Sequence, residues 1–466
     1  MGPKCNLASR RPASLPSPPR GGRPFASAPA GRSPSAALFA GFGYARLIAS
    51  AIATGPGAPL SRRALGAGLL AAFVAAAFEL HTVADRGTTG VFNDFYDYWA
   101  AGRVLLHGGN PYDAAVLDQV LSTAGVHSTV GEFGYSYPLF FLLLVVPLAL
   151  LPAQLAGYLF AVLSLAAFAI AIGLLLTPLT QLGWLEVTAL ALAAGGFVPV
   201  RGSLFFGQAN LLVLLALAFA YRERAATLLL ALAGAVKLYP AAGLLANFRR
   251  GRRGAKPLLL GAGLTGALVL LPNLLSGRRG STRLLDMLGP DPYWSNASLN
   301  GFISRVARPS PWSEPLLPGI PVTPVVVLLA LLLVGVSLAV VLRSRPSWSG
   351  SLALFVAAAT VATPKNSLWN FVPLLLSVAY CWPHARRRPT LLLPLVAGWL
   401  LIDLQSSVNV ARDDPGGHGR LQTGLLGLAA LGGLLIWATN AVVAAREAAE
   451  AVVAHRVSVP AANRVP

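Results

Sequence analysis

The sequence predicts an all-α, polytopic membrane protein with about a dozen helical spans. Of its 466 residues, 55% are hydrophobic and 11% are charged, whereas soluble proteins carry roughly a quarter charged residues. The charges gather in short groups between long uncharged stretches, and the basic groups at 62–63, 249–253 and 386–388 flank apolar stretches. A soluble core of this length cannot bury so much apolar surface, so lipid is the expected solvent.

The net charge of +19 does not indicate a nucleic-acid partner. Arginines beside apolar stretches follow the positive-inside rule and face the anionic cytosolic leaflet. The two cysteines, Cys5 and Cys381, are too far apart in sequence to suggest a disulfide framework or a metal site. No zinc-type or nucleotide-phosphate motif is present, so the sequence predicts neither a metal nor a cofactor and argues against an ATP-driven pump.

Three regions are expected along the chain. Residues 1–61 are basic and rich in Pro, Ser and Ala, which predicts a disordered cytosolic tail; a targeting segment and an over-extended gene start are the alternatives. Residues 62–446 form the membrane domain, and residues 447–466 form a cytosolic C-terminal tail.

Twelve apolar stretches are candidate spans, since a helix needs about 20 apolar residues to cross a bilayer. They are 64–80, 138–152, 155–176, 184–200, 210–221, 225–246, 257–275, 323–342, 350–363, 367–382, 390–406 and 421–445. With the N-terminus inside, the basic groups at 249–256, 343–345 and 384–388 also fall inside. Residues 221–224 fall outside against this trend, so the segment around Lys237 could be re-entrant rather than a simple crossing.

This topology leaves two long outer loops, at about 81–137 and 276–323, and a shorter one at 405–421. Long polar loops on one face of a lipid-embedded chain are where function is expected. In the first loop, Asp94 and Asp97 lie among aromatic residues. An aspartate shielded from water can have a raised pKa, which suits a general base. Alternatively, Asp94 could cap the following helix, and Tyr98 and Trp99 could belong to an interfacial belt.

Five motifs in one order resemble a known family. They are D-F-x-x-Y-W-x-A-G-R at 94–103, G-G-N-P-Y-D at 108–113, Y-x-Y-P at 135–138, G-Q-A-N at 207–210 and K-L-Y-P at 237–240. Together they resemble the polyprenol-phosphate-mannose-dependent mannosyltransferases of glycosyltransferase family 87, in the GT-C superfamily. The resemblance extends over residues 62–446.

The resemblance implies a GT-C-like helical bundle with a large first outer loop and an active site at the outer face of a bacterial inner membrane. The donor would be a polyprenyl-phosphate sugar, with mannose as the first candidate, and the acceptor a lipid or glycan. The resemblance makes Asp94 the catalytic base, with Asp97 as runner-up. Direct displacement of the phosphate would invert the anomeric centre.

Further site residues are expected in two groups. Candidates for binding the donor phosphate or sugar are Arg103, Tyr137, Lys237 and Lys365, and candidates for an acceptor site or lid are Tyr293, Trp294, Asn296 and Asn370. A cation inside an apolar stretch, as at Lys237, is a functional-site hypothesis by default, although it could also snorkel to an interface. Asn370 stands where family members often carry a histidine, which leaves the acceptor open.

Other functions stay open at this point. A transporter or lipid flippase predicts polar residues near the bilayer midplane and repeated halves, whereas the polar residues here gather in outer loops, which favours an enzyme. A GT-C relative that moves another sugar, and a structural membrane protein with a degenerate site, are the further alternatives.

Overall fold

The computed structural model describes residues 61–88, 90–126, 135–276, 289–408 and 423–458. These residues form helices and connecting turns, with two isolated β-bridges between Asn296 and Ser367 and between Ser310 and Ser313. The all-α prediction is therefore confirmed over the described part of the chain. Residues 1–60 of the expected tail at 1–61, residues 127–134 of the first outer loop and the central parts of the second and third outer loops lie outside the described residues.

The helices are named here in chain order. They are α1 (Arg62–Arg86), α2 (Asn93–Leu106), α3 (Ala114–Thr123), α4 (Leu139–Ala149), α5 (Ala153–Leu176), α6 (Trp184–Gly196), α7 (Val198–Phe205), α8 (Asn210–Tyr221), α9 (Ala226–Val236), a 3-10 segment (Tyr239–Gly254), α10 (Ala255–Ser276), α11 (Leu299–Ala307), α12 (Val322–Ser344), α13 (Trp348–Ala362), a 3-10 turn (Leu368–Phe371), α14 (Leu374–Ala385), α15 (Pro389–Val408) and α16 (Leu428–Ser458).

Among the described helices, six are long and apolar enough to cross a membrane, or seven if the bent pair α6–α7 counts as one span. Four shorter apolar helices, α4, α8, α9 and α13, accompany them. The predicted count of about twelve spans is thus not confirmed. Large apolar side chains on the long helices are exposed, including Phe73 at 71% and Leu393 at 73%, as expected for surfaces that face lipid.

The predicted span at 138–152 is wrong as a simple crossing. Its helix, α4, has 11 residues, which at 1.5 Å per residue is about 17 Å, well short of a bilayer core. Both halves of α4 pack against α2: the Phe141 ring lies 5.0 Å from the Tyr98 ring, and a Cβ on Gly102 would lie 2.8 Å from the Ala149 Cβ. The helix therefore stays beside the first loop.

Arginines gather at one end of the bundle, here called the arginine end. Arg250 pairs with Glu223 at 3.2 Å, and Arg386 pairs with Glu186 at 2.7 Å. Arg63 donates to the Leu182 carbonyl at 2.8 Å. Because Glu223 contacts Arg250, the prediction that 221–224 faces the opposite side from 249–256 is wrong.

A hairpin explains this correction. Helix α9 runs from the arginine end to Lys237, and the 3-10 segment returns from Tyr239 to Arg249 and Arg250 at the same end. Lys237 adopts an extended conformation between them, and Pro240 follows, where a proline disfavours continued helix. The alternative of a re-entrant segment around Lys237 fits this path better than one crossing at 225–246.

The opposite end, here called the loop end, holds α2, α3, α11 and the turn Leu368–Phe371. Asp113 begins α3 by accepting hydrogen bonds from the Ala115 and Val116 amides at 3.1 and 3.4 Å, a standard N-cap. The Tyr112 hydroxyl donates to the Tyr137 carbonyl at 3.1 Å. The first loop is thereby held against the start of α4.

Candidate functional site

Asp94 lies in the first turn of α2, at the loop end. The start of this helix rests on the end of α7: the Phe92 amide donates to the Phe205 carbonyl at 2.7 Å, and the Asp94 amide donates to the Phe206 carbonyl at 3.0 Å. First-turn amides have no partner within their own helix, so α7 supplies it. The N-cap position is Phe92, with φ of 59° and no side-chain cap, so the capping alternative for Asp94 is wrong.

Gln208 lies at the centre of the site. Its side-chain amide nitrogen donates a short hydrogen bond to Asp94 Oδ2, and its amide oxygen accepts from Lys237 Nζ at 2.9 Å. The side chain is 7% exposed. Gly207 precedes it with φ of +68° and lies against Phe95, where an added Cβ would come within 2.5 Å of the Phe95 Cβ. Helix α2 therefore packs directly on the turn that presents Gln208.

Lys237 enters the site at the tip of the hairpin. Its ammonium donates to Gln208 and to Asn370 Oδ1 and lies 5.4 Å from the centre of the Tyr137 ring. The residue is 9% exposed, so its side chain does not snorkel to an interface. Burial lowers the pKa of Lys237 to about 7, and the Asp94 charge opposes this shift. The ring and the two amide oxygens favour the charged form by cation–π attraction and hydrogen bonds.

Tyr137 joins the first loop to this cluster. Its hydroxyl donates to Gln208 Oε1 at 3.0 Å and accepts from the Tyr98 hydroxyl at 2.9 Å. Burial raises the pKa of Tyr137, so the phenol stays neutral and keeps its proton for Gln208. Tyr98 is thus a hydrogen-bonded part of the site and not a member of an exposed aromatic belt.

Asn370 comes from the turn after α13. Its Nδ2 donates to Ser367 Oγ at 3.2 Å, which leaves Oδ1 for Lys237. The preceding Trp369 carbonyl accepts from Asn210 Nδ2 at 2.9 Å and from Ser203 Oγ at 3.2 Å. Residues 363–370, here called the late motif, are therefore bonded to the G-Q-A-N turn, and both reach Lys237.

The electrostatics of the site depend on one carboxylate and one ammonium with an amide between them. Burial raises the pKa of Asp94 to about 6, against the opposing effects of the Gln208 hydrogen bond and the Lys237 charge. An aspartate with this pKa is ionised at neutral pH and still basic enough to accept a proton in a transition state. The arrangement can therefore take a proton at Asp94 and attract an anion at Lys237.

The second loop lies behind the late motif. The Asn296 side chain donates to the Pro364 carbonyl at 3.0 Å and accepts from the Asn366 amide at 3.2 Å. Lys365 lies 3.7 Å from Asp291. Arg305, fully buried, donates to the Tyr293 and Asn296 carbonyls at 2.8 and 3.0 Å. These contacts hold the loop that carries Asn370.

The structure brings together four of the residues expected from the sequence: Asp94, Tyr137, Lys237 and Asn370. The other expected residues have further partners in the first and second loops. Asp97 is buried further along α2 at 6% exposed, and the Arg103 guanidinium lies 5.1 Å from the centre of the Trp99 ring. The Tyr293 ring packs against Trp294 at 5.7 Å and against Trp312 at 5.0 Å.

Sequence reasoning assigned no role to Gln208, although it noted the G-Q-A-N motif. Gly207 and Gln208 stand just before an apolar helix and combine a flexible backbone with a polar side chain. This pattern indicates a turn that presents a polar group. The sequence alone does not show which residues Gln208 contacts, because Asp94, Tyr137 and Lys237 come from distant stretches of chain.

Comparison with known families gives one match. The model of glycosyltransferase family 87 matches residues 135–368, half of the chain, and this range includes Tyr137, Gln208 and Lys237. No curated protein matches, and no solved structure matches. With several helices able to span a bilayer, the chain is a multi-pass membrane glycosyltransferase that belongs to glycosyltransferase family 87.

Proposed function

We propose that this protein transfers a sugar, with mannose as the first candidate, from a polyprenyl-phosphate donor to a lipid or glycan acceptor, with inversion at the anomeric carbon. Asp94 is the general base in this proposal. The observation that supports it is the cluster at the loop end, where Gln208 contacts the Asp94 carboxylate and the Lys237 ammonium at once. Membership of the family supports the reaction class.

The proposed step requires only these groups and the two substrates. An acceptor hydroxyl oxygen attacks the anomeric carbon and forms the new glycosidic bond, while its proton passes to Asp94. The bond from the anomeric carbon to the phosphate oxygen breaks, and the polyprenyl phosphate leaves with the electron pair. Lys237 stabilises the negative charge that develops on the phosphate. Because a phosphate is a good leaving group, no strong general acid is required.

The remaining site residues keep their predicted roles in this proposal, except Asn370, which was expected at an acceptor site or lid. Lys365 and Arg103 are candidates for further contacts to the donor phosphate, and Tyr137 for contact with the donor sugar. Tyr293, Trp294 and Asn296 belong to the second loop, whose aromatic rings suit stacking on a sugar of the acceptor. Asn370 fixes the Lys237 ammonium. Asp97 is the alternative base.

The proposed location is a bacterial inner membrane, with the loop end facing the periplasm or cell exterior. The arginine end supports this orientation because basic residues favour the cytosolic side. The tail at 1–61 and the C-terminal tail at 447–466 would then be cytosolic. In this arrangement the lipid-linked donor reaches the site by lateral diffusion within the membrane. The proposal involves no nucleic acid.

The test is sugar transfer by the purified protein in lipid nanodiscs. Polyprenyl-phosphate mannose and membrane lipids are supplied to the wild type, to Asp94→Asn and to Asp97→Asn, and labelled product is counted. We expect transfer by the wild type, loss of roughly 10²–10⁴-fold in Asp94→Asn, the usual contribution of a general base, and a much smaller loss in Asp97→Asn.

The alternative outcomes are distinct. Full transfer by Asp94→Asn with loss in Asp97→Asn would move the base to Asp97. Transfer only from a polyprenyl-phosphate pentose would change the sugar and keep the reaction. Transfer from none of the polyprenyl-phosphate sugars would contradict the proposed donor.

A further inference from the structure

We infer that Gln208 is a positioning residue that keeps the Asp94 carboxylate and the Lys237 ammonium apart, so that each charge stays available to the reaction. This inference rests on the proposed function. It assigns to Gln208 the task of preventing a direct ion pair inside the site. Gln208 touches neither substrate in this account and acts through its two charged neighbours.

The hydrogen-bonding groups permit only one arrangement of the amide. An ionised carboxylate only accepts hydrogen bonds and an ammonium only donates them. The amide nitrogen of Gln208 therefore faces Asp94, and its oxygen faces Lys237, where it also accepts from the Tyr137 hydroxyl at 3.0 Å. Each end of the amide is matched to the charge that it meets.

The backbone holds the amide in this place. The backbone N–H of Gln208 donates to the Ser203 carbonyl at 2.8 Å, and the backbone N–H of Gly207 donates to the Leu204 carbonyl at 3.1 Å. The first turn of α2 rests on the Phe206 carbonyl two residues earlier. The base and its spacer are thus tied to the same turn, and Lys237 approaches from the other side.

The groups that face Asp94 make a spacer necessary. Lys237 is the cation of the cluster, Tyr137 and Tyr98 are neutral phenols from the loop and from α2, and Asp97 is the nearby acid on α2. Opposite charges attract strongly where water is scarce. Without the amide, Lys237 would contact Asp94 directly, which lowers the basicity of the carboxylate and uses a donor that the phosphate needs.

The sign of one titration tests this inference. Loss of the Gln208 hydrogen bond alone would raise the pKa of Asp94, because that bond favours the ionised form. Collapse into an ion pair would lower it, by roughly 1–3 pH units. We expect Gln208→Ala, which removes the spacer between the two charges, to lower it. An unchanged or raised value in this variant would overturn the inference.

The measurement does not depend on turnover. The carboxylic-acid band of Asp94 is followed by infrared difference spectroscopy against pH in nanodiscs, with Asp94→Asn subtracted to assign the band. Lys237→Met removes the partner, so Gln208→Ala should no longer lower the pKa in that background. A fall of the same size without Lys237 would contradict the role of the spacer.

Two further variants keep the test decisive. Gln208→Glu retains the length and the contact with Lys237 but places a second carboxyl group beside Asp94, so it should raise the pKa of Asp94. A fall in this variant would overturn the inference. Gln119→Leu replaces an exposed glutamine on α3 and should leave the titration unchanged. In the transfer assay, Gln208→Ala should lower kcat more than it raises KM.

If the wild type transfers no sugar but the titrations behave as stated, the proposed function fails and the separation of charges stands. If transfer occurs but the pKa of Asp94 rises in Gln208→Ala, the function stands and the inference fails. The two claims are therefore tested by different readouts.

Discussion

Asp94 combines two properties that a base needs, a raised affinity for protons and a fixed direction. Its backbone amide is bonded to the Phe206 carbonyl, which fixes the start of α2. Its carboxylate is bonded to a buried amide, which fixes the reactive oxygen. A neighbouring aspartate on the same helix, Asp97, is buried as well, but the cation and the amide lie at Asp94.

The pH dependence of transfer should report this carboxylate. With the pKa of Asp94 raised to about 6, the ionised base is lost as the pH falls through 6, so kcat/KM should decline below that pH. An unperturbed aspartate would keep the rate until about pH 4. The measurement is the pH profile of sugar transfer in nanodiscs, with Asp97→Asn as the matched control that should keep the same acid limb.

At the scale of residues, the sequence indicated Asp94, Tyr137, Lys237 and Asn370 from their motifs, and the structure places them within one hydrogen-bonded cluster. The sequence did not predict which groups Arg103, on α2, and Lys365 contact, because these contacts depend on how the outer segments pack in the fold. Their side chains lie beside Trp99 and Asp291. The sequence did not predict a role for Gln208 either, because the role of a side-chain amide depends on the groups to which it hydrogen-bonds in the fold.

Among the elements, the turn between α7 and α8 determines whether the site can form. Gly207 has φ of +68° and almost touches Phe95, so α2 can sit on the turn only while this position lacks a side chain. The turn also presents Gln208 and ties Asn210 to the late motif. The same short turn therefore supports α2 and positions the side chain of Gln208.

Substitution of Gly207 by alanine should damage both stability and transfer. The left-handed conformation costs roughly 1–2 kcal/mol for a residue with a Cβ, and the contact with Phe95 would push α2 away from Gln208. Gly108→Ala is a matched control, because Gly108 has φ of +75° with open space around its Cα.

The thermal unfolding temperature in detergent should fall in both glycine variants, whereas sugar transfer should be lost mainly in Gly207→Ala. Equal loss of transfer in Gly108→Ala would show that backbone strain alone, without displacement of α2, is responsible.

The sequence predicted which stretches are helical better than which of them cross the membrane. Hydropathy measures only how apolar a stretch is. Because α9 and the beginning of the 3-10 segment are both apolar, hydropathy predicts a single span at 225–246. The reversal at Lys237 depends on an extended backbone at a single residue. Likewise, α4 is apolar enough for a span, but its partner is α2 and its length is 11 residues.

For the molecule as a whole, the two ends differ in chemistry. Arginines pair with Glu186 and Glu223 at one end, and the Asp94 cluster lies at the other. The positive-inside rule predicts that the arginine end faces the cytosol. The family match and the spans fix a multi-pass membrane glycosyltransferase, and this contrast between the ends is the basis for its proposed orientation.

Cysteine labelling in intact cells tests this orientation. Asn296 is a poor reporter because it is 4% exposed and holds the Pro364 loop. Gln119→Cys on α3 and Arg387→Cys beside the arginine end are both at exposed positions. We expect a membrane-impermeant maleimide to label Gln119→Cys from outside and Arg387→Cys only after lysis.

The background for this experiment is Cys5→Ser, since Cys381 is buried. Labelling of Arg387→Cys in intact cells would reverse the proposed orientation while leaving the description of the cluster unchanged.

The hairpin that carries Lys237 also has a consequence for how the protein is made. Lys237 and Asn370 are 133 residues apart, and Asp94 precedes both. During synthesis the aspartate reaches the membrane first, the lysine follows, and the asparagine that anchors it arrives only after α13 has been inserted. A nascent chain thus holds an acid without its anchored cation, and the complete constellation exists only once most of the polypeptide is in the bilayer.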